Sequence, residues 1–213
     1  MDPNKKTIIF DFGNVLINLD FDDCFQNFER ILNVDWSERR LPQFLKDSIY
    51  QYDKGLINDD QFVQSFLKLN GSSNYNEIVE AWNSLLRDIP SERFNFLEKL
   101  SGKFNLILLS NINNLHLDCV HNYLVNEFDI SDFEERYFDK VFYSHIIGKR
   151  KPDNEIYQFV TNALNIAPQD ILFIDDLKEN VKAAQQNLWN AVVHRPTDDI
   201  VTMMPIYLKT VDF

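Results

Sequence analysis

The chain lacks several features that would place it in a specialised class of protein. It has only two cysteines among 213 residues, Cys24 and Cys119, and their spacing fits no metal-binding or redox motif. We therefore expect two free thiols in a reducing, cytoplasmic environment. No apolar stretch is long enough to cross a bilayer, and the residues before position 7 contain no apolar segment of the signal-peptide type.

Positive charge is also scarce. The 33 Asp and Glu residues outnumber the 21 Lys and Arg residues, which gives a formal net charge of -12. This excess argues against nucleic acid or an anionic membrane as a partner. The electrostatic field of this net negative charge also repels a phosphate group. Any attraction for a phosphate must therefore come from groups close to its binding site. A hydrophobic content of 45% is typical of a globular chain, and the length suffices for one core domain with an insertion.

The first apolar run ends on an aspartate. Residues 6–10 predict a short buried strand, and Asp11 follows it, with Gly13 in the turn beyond. Ligands of open α/β sheets bind at the carboxyl ends of the strands. An aspartate placed there can form a covalent phosphoryl intermediate. The alternative is that Asp11 only caps the turn.

A second run, at 171–174, ends on two aspartates, Asp175 and Asp176, and a predicted helix containing Asn180 follows. Adjacent carboxylates repel each other unless a cation or a shared proton relieves them. Together with Asp11 they offer the oxygen ligands that Mg²⁺ prefers. The alternative is a turn with an aspartate at the helix N-cap.

Two further runs lie between these. Residues 104–109 lead into Ser110 and Asn111, whose side chains can donate hydrogen bonds to phosphate oxygens, although both are also ordinary turn residues. Residues 138–143 precede Lys151, which stands before a proline and is therefore biased to an extended backbone. Such a lysine can reach inward as a point charge for phosphate. The alternative is that the three consecutive basic residues at 149–151 are ordinary solvated surface residues, as most such triplets are.

Taken in chain order, the residues at these four strand ends resemble the motifs of the haloacid dehalogenase-like hydrolase superfamily. The resemblance covers nearly the whole chain. Asp11, Ser110, Lys151 and the pair at 175–176 fall on its four motifs. The stretches 10–16, 109–111, 151–157 and 173–181 are similar to the subgroup that contains bacterial α-D-glucose-1-phosphate phosphatase and the phosphatase half of soluble epoxide hydrolase.

The resemblance implies an α/β fold: a Rossmann-like three-layer core with a parallel sheet, and an inserted α-helical cap. Residues 21–90 show helical rather than strand periodicity, with Asn58 as a helix N-cap and a turn beginning at Gly71, so we assign them to the cap. Residues 1–20 and 91–213 form the core, where helices and strands alternate. The segment 203–207 is expected to add a short closing element.

The implied function is a Mg²⁺-dependent phosphatase for a small phosphorylated metabolite, such as a sugar phosphate. Asp11 would be the nucleophile and Lys151 its catalytic partner. Ser110, Asn111 and Lys151 would hold the phosphoryl oxygens. Asp11, the Gly13 carbonyl and Asp176 would bind Mg²⁺, because the epoxide hydrolase-like motif places its metal on the second acid of the pair. Asp175 and Asn180 would not contact the substrate or the metal themselves but would orient the groups that do, such as Lys151 or a metal-bound water.

One position departs from the family pattern. Most phosphatases of the superfamily carry a second aspartate two residues after the nucleophile, which protonates the leaving alcohol, and Gly13 stands there instead. General acid-base catalysis contributes roughly 10²–10⁴-fold in rate. Two alternatives therefore remain open: a metal-free haloacid dehalogenase, whose halide leaves unprotonated, and a weakly active homologue that binds a phospho-ligand.

The sequence does not rank the residues that contact the rest of the substrate. In the predicted cap, Asp53, Lys54 and Gln61 are candidates for lining it. The four histidines, at 116, 121, 145 and 194, show no metal-ligand spacing and are interpreted as surface or packing residues. The three tryptophans are interpreted as core anchors.

Overall fold

The computed structural model describes residues 1–36, 40–70 and 72–213. Its five strands are β1 (Thr7–Phe10), β2 (Asn105–Ser110), β3 (Lys140–Tyr143), β4 (Ile171–Asp175) and β5 (Asn190–Val193). Its α-helices are α1 (Phe21–Leu32), α2 (Gln43–Asp53), α3 (Asp59–Leu67), α4 (Tyr75–Asn83), α5 (Glu92–Ser101), α6 (Asn114–Phe128), α7 (Phe133–Tyr137), α8 (Ser144–Ile147), α9 (Asn154–Leu164), α10 (Lys178–Gln186) and α11 (Ile200–Thr210).

The strands form one parallel sheet in the order β3-β2-β1-β4-β5. The chain leaves β1 toward β2 and β3 on one side and returns to β4 on the other, so the strand order reverses at β1. Open α/β sheets bind ligands at such a reversal, outside the carboxyl ends of the strands. The predicted Rossmann-like parallel sheet is confirmed.

The central strands are apolar throughout because both faces of the sheet are covered. Ile8 and Phe10 of β1 point into one hydrophobic cluster, and Ile9 points into the other. Residues of α5, α6, α7 and α11 fill the first cluster, while residues of α9 and α10 fill the second. The core therefore has three layers.

Helices α1–α4, which we call the helical block, share a third hydrophobic cluster. The ring of Phe62 stacks on Tyr52 at a centroid distance of 4.2 Å and meets Trp82 at 4.8 Å. Asn58 caps α3 through a reciprocal capping box with Gln61, as predicted. The turn predicted at Gly71 lies outside the described residues. The assignment of residues 21–90 to a cap domain stays a prediction.

Two antiparallel connections join the block to the core. The amide of Asn18 donates to the carbonyl of Asp88 at 3.0 Å, and the amide of Arg87 donates back to the carbonyl of Asn18 at 2.9 Å. Leu19 and Leu86 pair in the same short ladder. The chain therefore enters and leaves the block at one place, directly beside the end of β1.

The remaining differences from the sequence expectations are local. The short helices α7 and α8 were not expected, and α10 contains Asn180, as predicted. The segment 203–207 lies inside α11, which buries Ile200, Met204 and Tyr207 against the core. Cys24 and Cys119 are both free thiols. Within the described ranges, no helix combines the length and apolar character needed to span a bilayer.

Candidate active site

A cavity of about 260 Å³ lies between the carboxyl edge of the sheet and the helical block. Side chains from both parts of the molecule line it: Asp11, Gly13, Leu19, Phe21, Ile49, Asp53, Trp82, Leu85, Asn111, Asn113, His116, Arg150, Lys151, Asp176, Leu177 and Asn180. The predicted site residues Asp11, Gly13, Asn111, Lys151, Asp176 and Asn180 are all among them. The end of β1 thus faces the same cavity as the residues that follow β2 and β4.

Lys151 is the centre of the polar network. Its ammonium lies 2.7 Å from Oδ1 of Asp11 and 2.7 Å from Oδ2 of Asp175, and it donates to the carbonyl of Leu109 at 2.9 Å. The side chain is only 1% exposed. Burial alone would lower the pKa of Lys151, but the two carboxylates raise it above its ordinary value. The lysine therefore stays charged and ties together the ends of β1, β2 and β4.

Asp175 is completely buried and has no capacity left for a further ligand. Its Oδ1 accepts from the Leu177 amide at 2.9 Å and from Asn180 Nδ2 at 2.9 Å, while Oδ2 accepts from Lys151. Asp175 therefore holds the ammonium of Lys151, and Asn180 holds Asp175. Their predicted supporting role for the metal and phosphate stays a prediction.

Asp11 has one oxygen held and one oxygen free. Oδ1 accepts from Lys151 and from the amide of Phe12 at 2.7 Å. Across the ranges that the structure describes, no donor contacts Oδ2. Burial raises the pKa of Asp11 to about 7, the charge of Lys151 opposes this rise, and the charge of Asp175 adds to it. The carboxylate is thus fixed through one oxygen, and the other remains for a substrate or a metal.

Asp176 is only half-buried. Its Oδ2 accepts from Nδ2 of Asn14 at 2.9 Å. Asn14 has a left-handed φ of 54°, and its own Oδ1 accepts from the Leu19 amide at 3.2 Å. Burial raises the pKa of Asp176 above its ordinary value, while Asn14 lowers it. Asn14 therefore orients Asp176, a role that the sequence prediction missed.

The residues that follow β2 divide into two roles. The side chain of Asn111 forms a reciprocal pair with the backbone of Lys151, donating to its carbonyl at 2.8 Å and accepting from its amide at 2.9 Å. This pair fixes the loop that carries the lysine. Ser110 is buried at the end of β2 and does not line the cavity among the described residues. Direct phosphate contacts from Ser110 and Asn111 stay predictions.

Gly13 lies close to Leu19, so a side chain at this position would contact that residue. Its backbone is not left-handed, so a side chain is not excluded by φ. A Cβ built there would lie 2.8 Å from Cδ1 of Leu19, which is closer than carbon atoms approach. In the part of the chain that the structure describes, no donor occupies the Gly13 carbonyl. The position thus offers a backbone oxygen and no carboxylate.

The block side of the cavity carries a polar cluster that we call the roof cluster: Asp53, Asn113, His116 and Arg150. Asn113 accepts from the Trp82 indole at 3.2 Å and from the His116 amide at 3.1 Å, so its NH₂ group turns toward Asp53 Oδ1 at 3.4 Å. Arg150 lies 3.5 Å from the other Asp53 oxygen. Burial raises the pKa of Asp53 to about 6, and Arg150 opposes this rise.

The roof cluster shows the limit of the sequence prediction. Of the three candidates in the predicted cap, Asp53 lines the cavity, while Lys54 and Gln61 are not among its lining residues in the described ranges. His116 is a packing residue, as interpreted, since it stacks on Trp82 at 4.6 Å, but it also lines the cavity. Asn113 and His116 follow β2 directly, so the strand-end rule extended by a few residues would have found them.

The donor set suits a hard divalent cation. Oxygens of Asp11, Asp175 and Asp176 all lie within 4.8 Å of one another, and the carbonyl of Gly13, which lines the same cavity, adds a further oxygen. Mg²⁺ prefers such ligands and keeps several waters. Because the oxygens of Asp175 are already occupied, Asp11, Asp176 and the Gly13 carbonyl are the atoms that fit the ion.

Comparison with known proteins agrees with this geometry. A family model described as haloacid dehalogenase-like hydrolase matches residues 5–187. The chain belongs to this hydrolase family. The superfamily resemblance of the four motifs is thereby confirmed, while the subgroup stays a prediction.

The hydrolase has relatives of known activity. It is 26% identical over 185 residues to the D-ribitol-5-phosphate phosphatase of Bacteroides thetaiotaomicron, covering 85% of this chain and 87% of the relative. It is 42% identical over 184 residues to the sesquiterpene phosphatase astK of Aspergillus oryzae, covering 84% and 85%. A family enzyme of B. thetaiotaomicron, solved with magnesium and inorganic phosphate, superposes with a TM-score of 0.79 at 34% identity, covering 92% of this chain and 97% of that one.

The two adjacent aspartates of the hydrolase should differ in their effect on stability. Asp175→Ala leaves Lys151 buried with one fewer carboxylate, and removing one partner of a buried ion pair costs about 3–5 kcal/mol. Asp176→Ala removes one hydrogen bond at a half-buried site and should cost about 1 kcal/mol. Urea unfolding in the presence of a chelator measures both. Equal losses for the two variants would contradict the network described above.

Proposed function

We propose that the chain is a Mg²⁺-dependent phosphatase that hydrolyses small phosphorylated metabolites through an aspartyl-phosphate. The observation that carries the proposal is the state of Asp11: one oxygen is held by Lys151 and Phe12, and the other is free at the cavity. A fixed carboxylate with one free oxygen is the arrangement that a nucleophile needs. The phosphatase relatives and the magnesium and phosphate in the solved structure support it.

The chemistry follows from the positions of the side chains. Asp11 Oδ2 bonds to phosphorus while the bond from phosphorus to the leaving alcohol breaks, and the alcohol takes up a proton. Water then attacks the aspartyl-phosphate, which releases phosphate and restores Asp11. Lys151, fixed by Asp175 and by the Asn111 pair, stabilises the negative charge on the transferring group. Ser110 is assigned to the same phosphoryl oxygens.

Asp11, Asp176 and the Gly13 carbonyl would hold Mg²⁺, and Asn14 would keep Asp176 oriented toward it. When bound, the ion neutralises the repulsion between a carboxylate nucleophile and a phosphate dianion. This local charge matters because the chain carries a formal net charge of -12. Lys151 alone is already balanced by two carboxylates.

A second candidate substrate class is a phosphate ester with a long apolar tail. A further cavity of about 170 Å³ inside the helical block is lined by Cys24 and by apolar side chains, and four residues line both cavities: Phe21, Ile49, Trp82 and Leu85. A tail leaving the phosphate site would pass directly into apolar surroundings. The sesquiterpene phosphatase relative fits this class, whereas the polyol phosphatase relative fits the roof cluster.

The nucleophile is tested by Asp11→Asn. The amide has the same shape but far weaker nucleophilicity, so phosphate release should fall by several orders of magnitude in a variant that circular dichroism shows to be folded. Acid-quenched wild-type protein should carry a hydroxylamine-sensitive phosphoryl group on Asp11, located by peptide mass spectrometry. A phosphorylated Asp11→Asn protein would show that another residue attacks.

The metal is tested by Asp176→Ala. This variant should need at least about tenfold more Mg²⁺ for half-maximal activity, because it loses one of two charged ligands. It should also lose the Mg²⁺-dependent rise in melting temperature that the wild type shows, which is a readout independent of turnover. Full activity of the wild type in chelator, with fluoride released from fluoroacetate, would instead establish the metal-free dehalogenase.

The substrate class is tested with alkyl monophosphates of increasing chain length against ribitol 5-phosphate. If the second cavity receives a tail, kcat/KM should rise about fourfold per added methylene, from about 0.8 kcal/mol for each buried CH₂. Cys24→Phe fills that cavity without touching the phosphate site, and it should abolish the rise while leaving methyl phosphate unaffected. A flat series with preferred turnover of ribitol 5-phosphate would select the polar substrate.

A further inference from the structure

The absence of a carboxylate at Gly13 leaves the leaving alcohol without an obvious proton donor on the sheet edge. In an in-line displacement the nucleophile and the leaving oxygen lie on opposite sides of phosphorus. Asp11 attacks from the end of β1, so the leaving oxygen points away from the sheet, toward the helical block. A proton donor for this oxygen must therefore lie on the side of the cavity that faces the helical block.

Few groups there can exchange a proton. Among the described residues that line the cavity, the titratable groups outside the Asp11, Lys151 and Asp176 set are Asp53, His116 and Arg150. Arginine keeps its protons at all working pH values. This leaves an aspartate and a histidine to compare.

His116 is already occupied at both ring nitrogens. Nε2 lies 3.0 Å from the Trp82 carbonyl, which only accepts, so this nitrogen carries the hydrogen. Nδ1 faces the Asn113 NH₂ group at 3.4 Å and accepts from it. Burial lowers the pKa of His116 to about 4. The ring is neutral, and its only proton is committed to a backbone carbonyl.

We infer that Asp53 is the proton donor to the leaving alcohol, in place of the carboxylate missing at Gly13, and then the base for the attacking water. The proton passes from the Asp53 carboxyl to the leaving oxygen as the bond from phosphorus to oxygen breaks. Water then replaces the alcohol on the same side of phosphorus and returns a proton to Asp53 as it attacks. This inference rests on the phosphatase function proposed above.

The surroundings of Asp53 suit a group that must switch between two states. It is the last residue of α2 and is 9% exposed. Its two contacts, with Asn113 at 3.4 Å and Arg150 at 3.5 Å, are long for charge-assisted hydrogen bonds, so neither locks it as a carboxylate. The neighbouring Lys54 is turned toward Asp153 at 3.5 Å. Burial holds the Asp53 pKa near 6, where donor and base forms are both accessible.

The dependence on the leaving group separates a proton donor from a residue that only binds substrate. With p-nitrophenyl phosphate the phenolate departs without help, whereas an alkyl phosphate needs the proton. Asp53→Asn should therefore lower kcat for methyl phosphate by about 10²–10⁴-fold and lower release of p-nitrophenol in the first turnover by less than about tenfold. Asp53→Glu should recover part of the loss on methyl phosphate.

Two further measurements complete the test. For alkyl phosphates, wild-type kcat/KM should fall as the pH rises through the Asp53 pKa, because the donor form is lost, and this limb should vanish in Asp53→Asn. Asp60→Asn is the matched control, since it makes the same change on the same block at an exposed site outside the cavity, and it should behave as wild type throughout.

Equal losses on aryl and alkyl phosphates in a folded Asp53→Asn protein would overturn the inference and make Asp53 a binding residue. Unchanged turnover of both would overturn it as well. Either result leaves the proposed phosphatase intact, because wild-type phosphate release and its loss in Asp11→Asn are measured separately. A wild type that releases no phosphate from any ester would overturn the phosphatase function and the donor with it.

Discussion

The site depends on one buried charge. An ammonium with 1% exposure is tolerated only where partners replace its hydration, and Lys151 receives three: Asp11, Asp175 and the Leu109 carbonyl. These partners come from the ends of three neighbouring strands, so the lysine fixes the spacing of β1, β2 and β4 at their carboxyl edge. The same contacts hold one Asp11 oxygen still and leave the other free. One buried charge therefore fixes both the spacing of three strand ends and the orientation of the Asp11 carboxylate.

The acidic balance of the chain makes this arrangement necessary. With a formal net charge of -12, long-range attraction cannot bring a phosphate to the sheet edge. Asp175 is paired with Lys151 and accepts from amide donors, which reduces but does not remove its repulsion of Asp11. Asp11 and Asp176 remain as the two carboxylates in excess, which is the charge that one divalent cation would balance.

The sheet and the part of the site at its carboxyl edge were predictable, because both depend on local patterns in the sequence. A parallel strand buried on two faces must read as a continuous apolar run, and the residue that follows it must lie at the carboxyl edge. That rule brought Asp11 and Asp176 together, whereas Lys151 lies eight residues after the end of β3 and was placed by the proline that follows it and by the superfamily resemblance. Within the roof cluster, the position of Asp53 was not predictable in this way. Asp53 reaches the cavity because α2 packs on the core. The periodicity of a helix sequence shows which face is apolar, but not which part of the molecule its last residue will contact.

Gly13 connects the two halves of the site. The space that a side chain would need there is occupied by Leu19, whose Cδ1 would be 2.8 Å from a Cβ. Leu19 also pairs with Leu86 where the chain enters and leaves the helical block, and its amide donates to Asn14, which orients Asp176. The residue that packs against Gly13, and that would have to shift for a side chain there, therefore also anchors the block. A block anchored so close to Asp11 can supply from Asp53 what the edge lacks, and proton transfer then requires the block to be seated over the phosphate.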